Sequence, residues 1–466
     1  MSEIMDFPQL KALKNYFTQG HTLPVSARKA ALLRLSKALE RHEQALYNAI
    51  GKDFGRGAFD SWSCEYLMLQ EELALAIRSL NSWAAFRPVR AGIINMPSRA
   101  GIRPEPLGIT LIFSPWNYPA LLALSPLIGA IGAGNCAVVK PSSNTPNTSG
   151  LLQKIVAEAF DPRHATVILG SHAVSDALLA QRFDLIFFTG SPAVGRQVMS
   201  AAAKHLTPVV LELGGKSPCI VDETAVLPQA AKRIAWGKFL NAGQTCIAPD
   251  YLLVQKSIAE PFVSELKRQI KRLYYPNGVI TEQWPQIILE NHTARLAELL
   301  KGECIAFGGR YDVQKRFIEP TVLYPVAPGA PCMQRELFGP ILPILTFETL
   351  SEAIYHINAG EKPLALYHFS TSKKAITRVL NATSAGGGCV NDVIMHVSSA
   401  RLPFGGVGMS GMGRYHGRAS FDTFSNLRTV LIKHPRAEWP LRYPPHSAQK
   451  LQFARKLVGA LTYLQK

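Results

Sequence analysis

Cysteine is sparse in this chain. The seven thiols, Cys64, Cys136, Cys219, Cys246, Cys304, Cys332 and Cys389, are odd in number and form no C-x-x-C pair. Neither a disulfide framework nor a zinc cluster is encoded, and no metal is expected. Charge is modest as well, at 18% of residues. The 35 glycines and 32 prolines are scattered rather than periodic, which excludes fibrous classes, and no repeat of twenty to fifty residues is evident. The segment Met1 to Gly20 has no uninterrupted apolar core, because Glu3, Asp6, Lys11 and Lys14 are mixed into it. Secretion is therefore not expected, and a cytoplasmic location is. One long uncharged stretch lies between Glu105 and Lys140, but Pro106, Pro115, Pro119 and Pro126 and four glycines divide it. It reads as a buried strand, loop, helix and strand rather than a membrane span.

Enough apolar sequence is present to fold. With 47% hydrophobic residues over 466 positions, disorder is excluded, and at roughly 150 residues per unit the length suggests about three folding units. The net charge of +17 is dispersed, with local groups at Lys267-Arg268, Lys271-Arg272 and in the last twenty residues. No basic stripe is interleaved with aromatics, so a solvated face is favoured over a nucleic-acid surface. In the tail from Ser447 to Lys466, Leu451, Ala454, Leu457, Val458, Leu461 and Leu464 recur at helical spacing beside Lys450, Arg455 and Lys456. This segment packs on the protein or a partner subunit, or makes weak contact with an anionic membrane surface.

Apolar spacing predicts a helix pair over Ser26 to Phe54, with Ser26 available as N-cap, and a further helix over Ser61 to Ala84. Arg87 to Pro106 carries Pro88, Pro97 and Gly101 between β-like pieces and reads as a protruding hairpin or linker. From Ile109 to Val221, five β-like runs alternate with four helical segments, which predicts an α/β fold with a doubly wound parallel sheet. A second α/β region follows from about Gly214, with β-like runs at Tyr251–Val254, Thr321–Tyr324, Ile341–Phe347 and Leu364–Phe369.

Several loops carry candidate chemistry. Phe188-Thr189-Gly190-Ser191-Pro192-Ala193-Val194-Gly195 follows a β-like run and opens a helix, where backbone amides can receive a phosphate. It is not a G-x-G-x-x-G, and an ordinary turn reads equally well. Lys140-Pro141-Ser142 ends another run at a sheet edge where nucleotides bind. In Ser114-Pro115-Trp116-Asn117-Tyr118-Pro119, the Asn117 amide either caps the next helix or donates to a developing oxyanion. Leu211-Glu212-Leu213-Gly214-Gly215-Lys216 places a carboxylate at a strand end, and Asn241-Ala242-Gly243-Gln244-Thr245-Cys246 places a thiol in a polar turn. Glu336-Leu337-Phe338-Gly339-Pro340 supplies a second carboxylate, and Leu402-Pro403-Phe404-Gly405-Gly406 an aromatic in a glycine-rich loop.

Together, in order and spacing, these segments resemble the aldehyde dehydrogenase superfamily from about Ser26 to Pro445. Strings such as Gln244-Thr245-Cys246-Ile247-Ala248-Pro249-Asp250-Tyr251 and Gly411-Met412-Gly413-Arg414-Tyr415-His416-Gly417 are similar to its class 3 branch, which acts on fatty and aromatic aldehydes. The resemblance implies NAD(P)-dependent oxidation of an aldehyde to the acid, with Cys246 as nucleophile, Asn117 as oxyanion donor, and Glu212 as general base. Glu336 is implied on the nicotinamide ribose or sharing the base role. It further implies a cofactor site of Trp116, Lys140, Thr189, Gly190, Ser191, Gly195, Glu336 and Phe338, and a substrate channel of Tyr118, Trp236 and Phe404.

The resemblance also implies a homodimer and three parts. These are a cofactor domain (1–86 and 107–211), a catalytic domain (212–400) and a bridging element (87–106 and 418–435), followed by a tail (436–466). One departure concerns the cofactor. Many relatives carry Glu after K-P-S, whereas this chain has Ser143, which removes a negative charge that would repel a 2′-phosphate. Both NAD and NADP are therefore expected. The competing readings are an acylating or phosphorylating dehydrogenase on the same fold, and an inactive basic membrane- or nucleic-acid-binding protein.

Overall fold

The computed structural model describes residues 7–92, 95–436 and 440–463. The chain forms two compact units. The first takes in the chain up to Trp83 together with Pro106–Asn426, and the second Ala84–Glu105 together with the chain from Leu427 onward.

Helices Val25–Arg41 and Glu43–Phe54 form the expected N-terminal pair. Ser26 is not the cap. Pro24 holds the N-cap position with extended backbone and Ser26 lies inside the first turn; the proline's fixed φ can start the helix without a side-chain acceptor. The helix expected over Ser61–Ala84 is interrupted: Ala58–Ser61 is α-helical, Trp62–Tyr66 is a π-helical turn, and the α-helix resumes at Leu67–Ala84.

The first unit holds two large sheets. In the first, the strands run in the order Gly411–Met412, Val209–Leu213, Leu185–Gly190, Ile109–Phe113, Cys136–Lys140, Ala165–Val167, all parallel but for the short antiparallel edge strand Gly411–Met412. Both faces are covered, as in a doubly wound sheet. Leu111, Phe113, Val138, Ile186, Phe188, Leu211 and Leu213 form one core with Leu13, Leu178, Val198 and Ala202 of flanking helices. The wholly buried helix Leu121–Ala133 packs against Ile109–Phe113 and Cys136–Lys140. The uncharged stretch thus becomes a strand, helix and strand of the core. Among the described residues no helix is long and apolar enough to cross a membrane.

Chain order reverses around Ile109–Phe113, which has Cys136–Lys140 on one side and Leu185–Gly190 on the other. The crevice beyond the carboxyl ends of such neighbouring strands is where open α/β sheets bind ligands. The second sheet runs Ile305–Phe307, Thr321–Leu323, Ile341–Phe347, Tyr251–Gln255, Pro218–Val221, Ala365–Phe369, Gly387–Val390. Its short outer strands, and Pro218–Val221, had no legible alternation.

In the second unit, Arg87–Val89 pairs antiparallel with Ser98–Pro106, and Ser425–Lys433 completes a three-stranded sheet. The predicted hairpin is thus present. The tail is helical over Ala448–Tyr463, with Leu451 and Val458 about half exposed and Ala454 and Leu457 partly covered. The side chain of Leu461 and all of Leu464 lie outside the described residues.

Candidate active site

Three carboxyl-end segments of the first sheet, at Phe113, Gly190 and Leu213, meet the loops of Cys246 and Glu336 beside the second. Helix Leu227–Phe239 ends in a turn where Asn241, Ala242 and Gly243 have φ of 52°, 51° and 73°. Two non-glycine residues in the left-handed region cost roughly 1–2 kcal/mol each, so neighbouring contacts must hold them there. The Asn241 Nδ2 donates to the Asn117 carbonyl at 3.0 Å. Gln244 clamps the other side: its Nε2 donates to the carbonyls of Asn241 (3.2 Å) and Gln286 (3.1 Å), and its Oε1 accepts from the Ile288 amide at 3.0 Å. Cys246, two residues on, faces the cavity with its side chain partly accessible.

The glycines of the motifs are the points where the loops touch. A Cβ on Gly243 would lie 2.3 Å from the Gly339 carbonyl oxygen, and one on Gly214 would lie 2.0 Å from Glu336 Oε2. The Cys246 and Glu336 loops thus meet backbone to backbone at Gly243 and Gly339, while the Glu336 carboxylate lies against the Gly214 backbone beside Glu212. The Glu336 loop is tied down further: Asp250 accepts from the Leu337 amide at 2.9 Å and pairs with Lys216 at 2.5 Å, while Arg295 donates to the Leu337 carbonyl at 2.7 Å.

Asn117 does not cap the following helix. The amides of Ala120 and Leu121 instead donate to Glu65 Oε2, at 2.7 and 2.9 Å, leaving the Asn117 side chain to donate to the Gln244 carbonyl at 3.0 Å. Tyr118 shares a 2.6 Å hydrogen bond with Thr245.

Electrostatics at the site are dominated by desolvation. Glu212 is 3% exposed, and neither carboxyl oxygen makes a hydrogen bond of normal geometry. Burial holds its pKa well above the usual carboxylate range, with the Arg414 charge and the nearby Gly406 amide offsetting this only in part. Burial and the neighbouring Asp250 charge push Glu336 up to about 8, against the Gly215 amide, Lys216 and Lys238. Cys246 is pushed up to about 12 by burial and the two glutamates, opposed by the amides of Cys246 and Ile247. The thiol therefore stays protonated unless a neighbouring group takes its proton.

A cavity of about 690 Å³ joins these groups. Its walls include Cys246, Glu212, Asn117 and Glu336, then Trp116, Thr189, Gly190, Ser191 and Phe338, and the apolar Tyr118, Trp236 and Phe404. Two of the expected residues are not on the wall. Lys140 is 4% exposed, its ammonium donating to the Pro141 carbonyl at 2.9 Å. Gly195 packs helix on strand, where a Cβ would lie 2.7 Å from Leu213 Cδ2. Other lining residues were not anticipated, among them Cys64, His292, Arg295 and Tyr415. His292 stands beside Trp116, ring centroids 6.0 Å apart, with its pKa lowered by burial and by Arg295. Its only signal in the sequence is the i, i+3 spacing to Arg295 in a helix without a motif.

The aldehyde dehydrogenase family model matches residues 9–430. The chain belongs to the aldehyde dehydrogenase family. It is 46% identical to human aldehyde dehydrogenase family 3 member B1, over 95% of each chain, and 44% identical to mouse family 3 member A2, over 96% of this chain and 93% of that one. Among solved structures, a substrate-bound Staphylococcus aureus AldH superposes with a TM-score of 0.94 at 40% identity, covering 97% of this chain and all of that one. An NADP-dependent enzyme of E. coli gives 0.82 at 26% identity, over 91% and 89%. The protein is an NAD(P)-dependent aldehyde dehydrogenase, and the class 3 likeness holds at whole-chain level.

The residues present suit a dinucleotide. Ser191 caps helix Pro192–Ala203, accepting from the Val194 amide at 3.4 Å, and the buried Thr189 hydroxyl beside it has no partner. A helix start with an unused donor on the cavity wall suits a phosphate oxygen.

Proposed function

We propose that Cys246 is the nucleophile of this aldehyde dehydrogenase, with Asn117 and the Cys246 amide as oxyanion donors and Glu212 and Glu336 as the carboxyl groups that move protons. What carries this reading is the placement of all four side chains on the wall of one cavity. Deprotonated Cys246 adds to the aldehyde carbon, and the charge developing on its oxygen falls to the Asn117 Nδ2 and the backbone amide. When bound, NAD(P) accepts the hydride released from that carbon. The thioester then left on Cys246 is opened by a water that a carboxylate deprotonates. Burial pushes Glu336 up to about 8, and Glu212, more deeply buried, is held well above the usual carboxylate range. Either carboxyl group, once ionised, can accept the thiol proton or the water proton.

Trp116, Thr189, Gly190, Ser191, Glu336 and Phe338 hold the cofactor, Lys140 and Gly195 shape that wall from behind, and Tyr118, Trp236 and Phe404 line the aldehyde channel. A mainly apolar wall suits medium- or long-chain aliphatic and aromatic aldehydes. Ser143 is exposed and neutral where a carboxylate would oppose a 2′-phosphate, which suits NADP beside NAD. We further propose a cytoplasmic homodimer with separate cofactor, catalytic and bridging parts, and weak contact of the tail helix with anionic membranes.

An aldehyde chain-length panel run with each cofactor tests the reading. Free acid is expected without added phosphate or CoA, with turnover rising with chain length and Cys246→Ala abolishing it. Turnover persisting in that variant would remove Cys246 from the mechanism. An NADP efficiency thousands of times below that of NAD would remove the Ser143 argument.

A further inference from the structure

The proposed reaction uses the side chain of Asn117 but leaves unexplained a buried ion pair behind it. Arg56 is 2% exposed and Glu65 is not exposed at all. Their side chains are in direct contact, and they grip the Asn117 loop at both ends. At one end, Arg56 Nη1 donates to the Asn117 carbonyl at 3.1 Å, an oxygen that also accepts from Asn241 Nδ2 in the left-handed turn before Cys246. At the other, Glu65 Oε2 takes both the Ala120 and Leu121 amides. The guanidinium also lies over the Tyr118 ring, 5.0 Å from its centroid, and Tyr118 is hydrogen-bonded to Thr245, next to Cys246.

The π-helical turn Trp62–Tyr66 is what makes this possible. One residue more per turn rotates Glu65 relative to the flanking α-helix, and such turns persist where an inserted residue does a job. A buried ion pair contributes little to stability compared with an apolar pair of the same volume. Its geometry nevertheless fixes the segment, which the pair holds by three hydrogen bonds, one from Arg56 and two to Glu65.

We propose that Arg56 and Glu65 are positioning residues for aldehyde oxidation: the pair sets the angle and distance at which the Asn117 amide meets the oxyanion formed on Cys246. This rests on the oxyanion role of Asn117. Lysine in place of Arg56 keeps the charge but loses the planar fork that bridges Glu65 and the Asn117 carbonyl. The Asn117 amide then drifts, and small misplacements of a catalytic group are costly.

The experiment is a double-mutant cycle on the full-length enzyme with a medium-chain aldehyde, comparing wild type, Arg56→Lys, Asn117→Ala and the double variant, and then Glu65→Gln in place of Arg56→Lys. Cofactor binding, followed by fluorescence, serves as the folding control. Arg56→Lys is expected to lower kcat roughly 10-fold or more while the KM for cofactor stays within about twofold. In the Asn117→Ala background the same change is expected to cost less than about twofold, because the group being positioned is gone. Equal losses in both backgrounds would overturn the proposal, as would a change in cofactor KM that accounts for the whole effect. If Arg56→Lys binds no cofactor, the Glu65→Gln cycle decides by the same criterion. A wild-type rate in Asn117→Ala alone would instead refute the oxyanion reading, an outcome distinct from additivity.

Discussion

At the scale of single residues, the site pairs a reluctant thiol with two reluctant carboxyl groups, and pH distinguishes them. Glu336 has its pKa raised to about 8 in the folded protein, above its unfolded value near 4.5. Stability from its burial in neutral form is full below about pH 4.5 and is lost as pH rises towards 8, because the unfolded chain releases a proton that the folded one retains. The Glu336→Gln variant has no such proton. Its melting temperature relative to wild type is expected to climb between about pH 5 and 8 and then level off, and a flat difference would mean that Glu336 is not buried in neutral form.

In turnover, Glu212→Gln and Glu336→Gln should each slow release of acid by about 10²-fold or more if each carries a proton-transfer step. Single-turnover kinetics separates them: the variant retaining a burst of reduced cofactor has lost deacylation, and the one lacking a burst has lost thiol activation. The residues themselves were legible in the sequence, since each is the polar member of an otherwise apolar or glycine-rich loop. His292, Arg295 and Cys64 were not, because they lie on helices whose spacing is that of any half-buried surface.

At the scale of elements, the turn before Cys246 and the glycine contacts set how closely the loops of Cys246 and Glu336 approach. Replacing Gly243 with alanine puts a Cβ at positive φ and 2.3 Å from the Gly339 carbonyl. It is expected to destabilise the protein by about 1–3 kcal/mol in urea unfolding and to lower activity further, because the Cys246 and Glu336 loops are pushed apart. A Gly243→Ala protein with wild-type stability would show that the two loops do not press on one another.

The long parallel strands and their helices were readable because they are buried on both faces and appear as runs of Val, Ile, Leu and Phe. The π turn at Trp62–Tyr66 and the two-residue strand Gly411–Met412 were not, since neither has a period of its own and both depend on tertiary contacts. The N-cap at Ser26 failed for a related reason. A preceding proline can start a helix without a side-chain acceptor, and composition does not rank the two.

At the scale of the whole molecule, the positive charge and the tail raise a separate expectation. Helix Ala448–Tyr463 carries Leu451, Phe453 and Val458 about half exposed, alongside Lys450, Arg455 and Lys456. Near an anionic bilayer each basic side chain contributes about 1 kcal/mol. Removing residues 447–466 is expected to lower co-sedimentation with phosphatidylserine vesicles several-fold at low salt, without changing turnover of a short, water-soluble aldehyde. Unchanged co-sedimentation would assign the attraction to the rest of the surface.

The claim on which the rest depends is that the aldehyde carbon becomes covalently bound to Cys246. Rapid quenching of wild type, Glu212→Gln and Glu336→Gln during turnover, followed by peptide mass spectrometry, tests it most directly. An acyl increment confined to the Cys246 peptide, largest in the variant that retains its burst, is the predicted result. An acyl group on another of the seven cysteines, or reduced cofactor formed in stoichiometric amount with no increment anywhere, would contradict the account.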